Sequence, residues 1–500
     1  MLVKYKAVGL AEVLSARSER AAMREKFLEP GYLYLCYSLN IVGEWKRNAL
    51  YDYFYQVMET RLLCHLAEAA FILQKSSRQD SAAGLWTIYA FSYVGRGGLQ
   101  TLPYLKKLCC EFEEQGPAYR LLDLDVFNEQ GEKLSRAQNN QRACLLCSSP
   151  AYECAASRRH STADIITKSG ALILEELTFL YKEKLLQAAE AAMLAEVTLT
   201  PKPGLVDTNN SGSHDDMDIS SFKRSIVALL PHLATYVDLA LASSAELCGG
   251  YDTEPDFYSA AGEKLIYALT EQGKKAEKDS LKVNDGVNCH LGLNYAWAYL
   301  LPAATLNFNL NLRKLKDRAF PYKRGQSSAS LSSPREILSM VSAIASPAYK
   351  RWRKEFPASA GGARQSAAEG YPLVLKALDV MSRAGEEGFS ETALFCLGLL
   401  AIMAENEDSN ILRRGSRQDL ESIQERSKYL LAKYLEDDES IEQREAHERK
   451  ESLFLDYMLS FDEDLCEAGL SPGGSADLLA ISLFFRFMQD TDNKLLEDVL

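Results

Sequence analysis

The sequence predicts an α/β N-terminal domain followed by an all-α C-terminal helical domain, and three observations carry this. Strand-like apolar and aromatic stretches, at 32–41, 85–93 and 121–127, are confined to the first part of the chain. From Ala171 onward apolar residues recur at helical spacing, and no alternating strand pattern follows. The 500 residues also exceed what a single core usually organises. The expected domains are 1–168 and 169–500.

Taken in order, Ala11–Phe27 has a helical pattern and precedes the first strand. A helical stretch at 50–73 follows, then the second strand, a helix at 99–114, and the third strand, ended by the turn Asn128-Glu-Gln-Gly131. Past residue 170, loops carrying Pro and Gly (201–213, 284–292, 357–370, 471–475) punctuate the helices. The mixed-charge segment 417–452 reads as a solvated helical face or an insertion. There is no internal repeat and no low-complexity tract.

Composition narrows the function classes. An apolar fraction of 47% and a charged fraction of 25% are those of an ordinary globular protein. No run of eighteen apolar residues occurs, and the N-terminus carries charges where a signal peptide needs an apolar core. The expectation is a cytoplasmic chain with no membrane partner. A net charge of −13 argues against nucleic acid, although a few local cations can hold a small phosphorylated ligand. The 11 cysteines read as reduced thiols.

Thr200-Pro-Lys-Pro-Gly-Leu-Val-Asp207 is a rigid turn that would present the Lys202 ammonium to a phosphate. If Ser213 caps a helix, His214 and Asp218 share a face, and Asp215 nearly joins them. Carboxylates this close call for a cation, and Mg²⁺ is the natural one. The plainer alternative is an acidic turn favouring a helix dipole. Ser471-Pro-Gly-Gly-Ser475 reads as a helix opening with Pro at the first helical position and bare amides for an anion, or simply as a well-capped helix.

These motifs, with Gly286-Val-Asn-Cys-His290, Gly362-Ala-Arg364, Asp408-Ser-Asn410, Arg414-Gly415 and the continuation of the last motif through Asp477 to Ala480, resemble the triphosphoribosyl-dephospho-CoA synthase family over roughly residues 180–490. The resemblance implies joining of ATP to 3′-dephospho-CoA with expulsion of adenine. It makes Lys202, Asn288, His290, Arg364, Arg414 and Ser475 candidates for substrate or phosphate contacts. Asp207, His214, Asp215, Asp218, Asp408 and Asp477 become candidates for Mg²⁺ or general-base roles, with Asp215 and Asp218 the catalytic pair. Leu291 stands where the family has a basic residue, and Ser366 where it has a carboxylate. These losses leave open a half that binds nucleotide without catalysis.

In the N-terminal part, Asp123 and Asp125 sit two apart on a predicted strand, hence on one face, as in an Mg²⁺ seat or a solvated strand face. Cys144, Cys147, Cys154 and His160 form a zinc-compatible ligand set; otherwise they are packed thiols with His160 on a phosphate. Arg17 and Arg20, Asn40-Ile-Val-Gly-Glu-Trp-Lys46, Arg120-Leu-Leu-Asp-Leu-Asp-Val126, Ser135-Arg136 and Arg142-Ala-Cys-Leu-Leu-Cys147 resemble the apo-citrate lyase phosphoribosyl-dephospho-CoA transferase family over roughly residues 10–165. Val42 replaces its Pro and Ser18 its Glu. The resemblance implies a nucleotidyltransferase-like domain. A serine of the acyl carrier (gamma) subunit of citrate lyase would attack the triphosphate and release pyrophosphate. Asp123 and Asp125 would hold Mg²⁺, and Arg17, Arg20, Lys46 and Arg120 would face phosphate. The carrier of malonate decarboxylase, and a zinc-stabilised docking role for this domain, are the competing expectations.

Overall fold

The computed structural model describes residues 5–95, 101–136, 142–147, 149–247, 254–315, 331–357, 361–435 and 444–497, without the side chains of 444–448 and 490–497. The start of the helix expected at 99–114, and parts of the 357–370 loop and of the charged 417–452 segment, lie outside the described residues. The chain divides into two compact units. The first comprises Met1–Leu180 with Asn311–Leu331 and Thr491–Leu500, the second Tyr181–Leu310 and Ser332–Asp490.

The first unit contains a five-stranded antiparallel sheet in the order β2-β3-β1-β4-β5. Its strands are β1 (Leu33–Leu39), β2 (Phe71–Ser81), β3 (Gly84–Tyr93), β4 (Leu122–Phe127) and β5 (Lys133–Leu134). Helix α1 (Leu10–Phe27) begins where the Glu12 carboxylate accepts the Gly9 amide at 2.9 Å. It covers one sheet face, packing Met23 and Phe27 on Tyr34, Cys36, Trp86, Ile88, Ala90 and Phe127. Helices α2 (Ala49–Glu68) and α3 (Thr101–Glu113) contact the opposite face, where the rings of Tyr37 and Tyr55 lie 4.3 Å apart.

The three expected strands form, but β2 does not appear in the sequence reading, which instead carried a helix through to residue 73. Ala70 adopts a left-handed φ of 68° and ends α2. The strand that follows, Phe-Ile-Leu-Gln-Lys-Ser-Ser-Arg-Gln-Asp-Ser, is mostly polar because it is a sheet edge, where charged side chains discourage further pairing. The two-residue β5 was missed as well.

The second unit contains helices and no strand among the described residues. The helix expected at 171–196 is part of α5 (Thr162–Thr198). Then come α6 (Ile219–Leu247), α7 (Ala260–Val283), α8 (Leu291–Leu315), α9 (Pro334–Glu355), α10 (Gly362–Ala368), α11 (Pro372–Glu386), α12 (Glu391–Met403), α13 (Ser409–Arg414), α14 (Arg417–Leu435), α15 (Arg444–Glu467) and α16 (Gly473–Glu497). Helix α6 is long and apolar enough to cross a membrane by composition, yet Leu233, Tyr236, Val237 and Ala240 are fully buried in the fold, as in a core helix. Residues 214–218 are not helical. The helix starts at Ile219, and Asp218 rather than Ser213 caps it, accepting the Ser221 amide at 2.8 Å. Pro472 likewise precedes its helix, its carbonyl accepting the Ala476 amide at 3.1 Å.

Candidate functional sites

In the first unit, β4 places Asp123 and Asp125 opposite Ser38 and Cys36 of β1, on the face that α1 covers. Asp125 pairs with Lys133 at 2.6 Å. Asp123 reaches solvent and no hydrogen bond to its carboxylate is seen; its crowded, partly desolvated surroundings and then the Asp125 charge raise its pKa. A carboxylate short of donors beside a second one is a suitable place for a cation.

Arg20 lies on the inner side of α1, its Nε on Gln79 at 2.7 Å and its Nη2 on the Gly84 carbonyl at 2.8 Å. Arg17 is exposed one turn away. Lys46 donates to the Ile41 carbonyl at 2.5 Å and lines a recess with Arg47, Tyr51 and Tyr55. Burial, then the nearby Arg17 charge, lowers the pKa of Lys46; Arg17 also depresses Arg20, after burial. The structure thus gathers Arg17, Arg20 and Lys46 into one cationic group. Sequence reasoning missed Arg47, whose buried guanidinium binds Asp52 (Nε to Oδ1, 3.0 Å) and Asp80. The Lys46-Arg47 dipeptide was the available signal. Arg120 donates to the Cys144 carbonyl at 3.3 Å. Cys144, Cys147, Cys154 and His160 come together, with His160 Nε2 3.3 Å from Cys147 Sγ. The Ser149 amide and then His160 bring the Cys147 thiol down to about 6.

In the second unit the separated motifs converge. Lys202 is not presented outward as the sequence suggested. It is buried and bonded to Glu196 Oε1 at 2.6 Å and to the Glu196 carbonyl at 2.8 Å. Asp207 accepts the Thr200 hydroxyl at 2.6 Å and the amides of Asn209 and Asn210, which ties the turn together. Asp462, unmarked by any motif, accepts the Gly204 amide at 2.8 Å. Gly204 is needed there, because a Cβ would lie 2.3 Å from the Leu470 carbonyl oxygen.

The amides at the 471–475 helix opening are not bare. Asp408 takes the Gly474 and Ser475 amides, the Ser475 hydroxyl and the Asn410 amide, so one buried carboxylate closes the N-termini of α13 and α16. Arg414, at the end of α13, donates to the Ser213 carbonyl at 2.7 Å and to His214 Nδ1 at 2.9 Å. His214 Nε2 then faces Ser471 Oγ at 2.9 Å. Burial and Arg414 lower the pKa of this imidazole, which stays neutral with its proton on Nε2. Asp215 is exposed, and no hydrogen bond to its carboxylate is seen.

Around His290 the polar groups are short of partners. Its Nδ1 meets Ser225 Oγ at 2.8 Å, its Nε2 is buried without one, and burial brings the ring down to about 3. The Tyr371 hydroxyl is also buried without a partner. Asp477 lies against the Gly292 backbone, where a Cβ would come 2.0 Å from its Oδ2. Burial, with the charges of Glu196 and Asp408, raises its pKa well above the carboxylate range. Glu196 and Tyr371 were not anticipated; no motif includes either, and only the fold brings them to Asp477. Arg364 is exposed, its guanidinium 5.2 Å from the Trp352 ring and 5.6 Å from the Tyr295 ring. Asn288 donates to Glu277 at 3.4 Å.

Comparison with known proteins defines the class: each half matches a transferase family, and the chain is a bifunctional transferase. Residues 182–495, more than half of the chain, match the ATP:dephospho-CoA triphosphoribosyl transferase family, and the chain belongs to it. Residues 8–176 match the apo-citrate lyase phosphoribosyl-dephospho-CoA transferase family. Protein CitXG of Haemophilus influenzae is 29% identical over 494 residues, 96% of each chain. The 2-(5''-triphosphoribosyl)-3'-dephosphocoenzyme-A synthase of Klebsiella pneumoniae is 32% identical over 310 residues, 60% of this chain and 90% of its own. Its namesake in Haemophilus ducreyi is 29% identical over 353 residues, 68% of this chain and 98% of its own.

Proposed function

We propose that the second unit makes, and the first attaches, the prosthetic group of citrate lyase. In the second unit the 2′-hydroxyl oxygen of 3′-dephospho-CoA bonds C1 of the ATP ribose while the bond from C1 to adenine breaks. This displacement has oxocarbenium character, as in glycoside chemistry. The hydroxyl proton passes to Asp215, and adenine needs a proton as it leaves. Asp477, whose desolvation and acidic neighbours favour the protonated form, supplies it. The observation that carries this assignment is the half-buried Asp477 carboxyl, packed against the Gly292 backbone and raised by desolvation, in the same unit as the unpartnered His290 Nε2 and Tyr371 Oη. Arg364, exposed between two rings, is available to the triphosphate.

In the first unit a serine oxygen of the acyl carrier subunit attacks the phosphorus nearest the ribose, and pyrophosphate departs. Arg17, Arg20 and Lys46 neutralise the triphosphate. Asp123 and Asp125 are the residues that would hold Mg²⁺, which would offset charge on the departing pyrophosphate. A local supply of product from the second unit favours the first.

The test is incubation of the full chain with ATP, Mg²⁺ and 3′-dephospho-CoA, followed by mass spectrometry for adenine and the coupled nucleotide. Apo carrier subunit is then added and its mass followed. No adenine would overturn the synthetic reading. Modification of a malonate decarboxylase carrier in preference to that of citrate lyase would change the acceptor.

A further inference from the structure

The structure assigns a four-ligand zinc centre to Cys144, Cys147, Cys154 and His160. The four ligand atoms all lie within 4.8 Å of one another. Cys147 Sγ is 3.5 Å from Cys154 Sγ and 3.3 Å from His160 Nε2. Around a tetrahedral zinc with bonds of about 2.0–2.3 Å, neighbouring ligand atoms stand roughly 3.5–3.8 Å apart, so these separations are close to those of a loaded site.

The backbone is shaped for the same purpose. The Cys144 amide bonds the Ser149 carbonyl at 2.7 Å, and the Ala151 amide bonds the Arg142 carbonyl at 2.8 Å, closing a short hairpin. Its loop turns the Leu146 amide onto Cys144 Sγ at 3.4 Å and the Ser149 amide onto Cys147 Sγ. An amide two residues beyond each cysteine, aimed at its sulfur, favours the thiolate that a metal requires. Helix α4 (Ala151–Ser157) then brings Cys154 inward. Arg158, left-handed at φ 47°, reverses the chain so that His160 returns to the sulfurs.

Hydrophobic packing does not account for this arrangement. Among the described residues from 128 to 168, Cys154 is the only buried apolar side chain. A segment with so little core needs another source of order, and a metal is a usual one. Three sulfurs and an imidazole select zinc over hard cations such as Mg²⁺ or Ca²⁺. Four protein ligands leave no open position for water, so the centre is structural.

Its place in the fold gives it a task. Arg120 donates to the carbonyl of Cys144 itself, and Arg142, two residues earlier, bonds Glu113 and the Leu122 carbonyl at the start of β4. The next residue is Asp123. Zinc thereby seats Arg120 and Arg142 beside the acidic pair, a role that rests on the proposed attachment reaction, whereas zinc binding does not.

The test uses the full chain produced with zinc in the medium. Elemental analysis should find about one zinc per chain, with its loss in Cys147→Ser and in His160→Ala but not in Cys289→Ser. The chelated, reduced chain refilled with Co²⁺ should show the visible bands of tetrahedral thiolate cobalt. Neither zinc nor cobalt bands, with the thiols of Cys144, Cys147 and Cys154 all free to react or with a Cys147–Cys154 disulfide by mass, would overturn the centre. If zinc is present but its removal leaves carrier modification unchanged, the centre stands and its positioning role fails. If adenine release fell with carrier modification, global unfolding rather than local seating would be the cause.

Discussion

The acidic residues of the two units differ in what they have left to offer. Asp123 lies on a strand whose backbone is already paired with β1, and no donor is seen on its carboxylate. Asp207 and Asp408 lie in loops of the second unit and Asp462 on α15, and all three spend oxygens on backbone amides of loops and helix openings. Where the chain is irregular, carboxylates become architecture. An acidic motif residue is therefore no evidence of chemistry until its remaining valence is known. By that measure Asp477 and Asp215 are the carboxylates left for the proposed reaction, while Asp207 and Asp408 hold backbone amides.

The sharpest way to break this comparison is Asp408→Ala. It orphans amides at two helix N-termini in a buried setting. At about 1–3 kcal/mol for each unsatisfied buried group, the second unit should lose on the order of 3 kcal/mol or more. Chemical denaturation measures it, and adenine release should fail only as the protein unfolds. A normal denaturation midpoint with lost catalysis would return Asp408 to the reactive set.

Asp123→Asn and Asp125→Asn should do the opposite, lowering carrier modification by roughly 10²-fold or more with the thermal midpoint and adenine release unchanged. Asp477→Asn, which keeps the shape and removes the transferable proton, should slow adenine release by about 10²–10⁴-fold and spare attachment of supplied triphosphoribosyl nucleotide. If any one of these stopped both steps in a folded chain, the separation into two sites would be wrong.

The fold was legible where periodicity operates. Three strands and the helices of both units show in the sequence because one face is buried and side chains repeat at 2.0 or 3.6 residues. Strand β2 escaped because an edge strand has little need of an apolar face. The acidic pair on β4 was legible for the same geometric reason, since two residues along a strand restore the same face. The sequence read Lys202 and the 471–475 amides as exposed ligand groups because it shows residue types and spacing, not partners. Glu196 sits six residues before Lys202, on the end of α5, and Asp408 is far from Ser475 in the chain. Tyr371 and Asp462 were invisible for want of any pattern around them.

His290 offers a quieter test, because its burial should register in the stability of the protein. Its folded pKa of about 3 lies below the unfolded value, so from about pH 6.5 downward the unfolded chain takes up a proton that the folded chain refuses. Stability therefore falls as pH drops, by up to about 1.4 kcal/mol per pH unit for one full proton. Asp477, with its raised pKa, contributes with the opposite sign, so the difference between wild type and His290→Gln isolates the histidine. Denaturation midpoints from pH 7 to pH 5 should decline less steeply in the variant. Parallel profiles would mean that His290 is protonated in the folded state, and the partnerless Nε2 would lose its meaning.

The smallest effect expected is at Leu291, where the synthase family resemblance calls for a basic residue. The side chain is 54% exposed at the first position of α8, so Leu291→Lys creates no cavity and meets no clash. A cation at a helix N-terminus costs about 0.3–1 kcal/mol, and a solvent-exposed contact to phosphate returns about as much, roughly a 2–5-fold change in binding. The KM for ATP should fall by that factor with kcat unchanged, since the interaction is the same in ground and transition states. Leu291→Glu should raise KM to a similar extent. If neither substitution moves KM, the triphosphate does not pass the start of α8, and Arg364 must hold its charge without help from that edge.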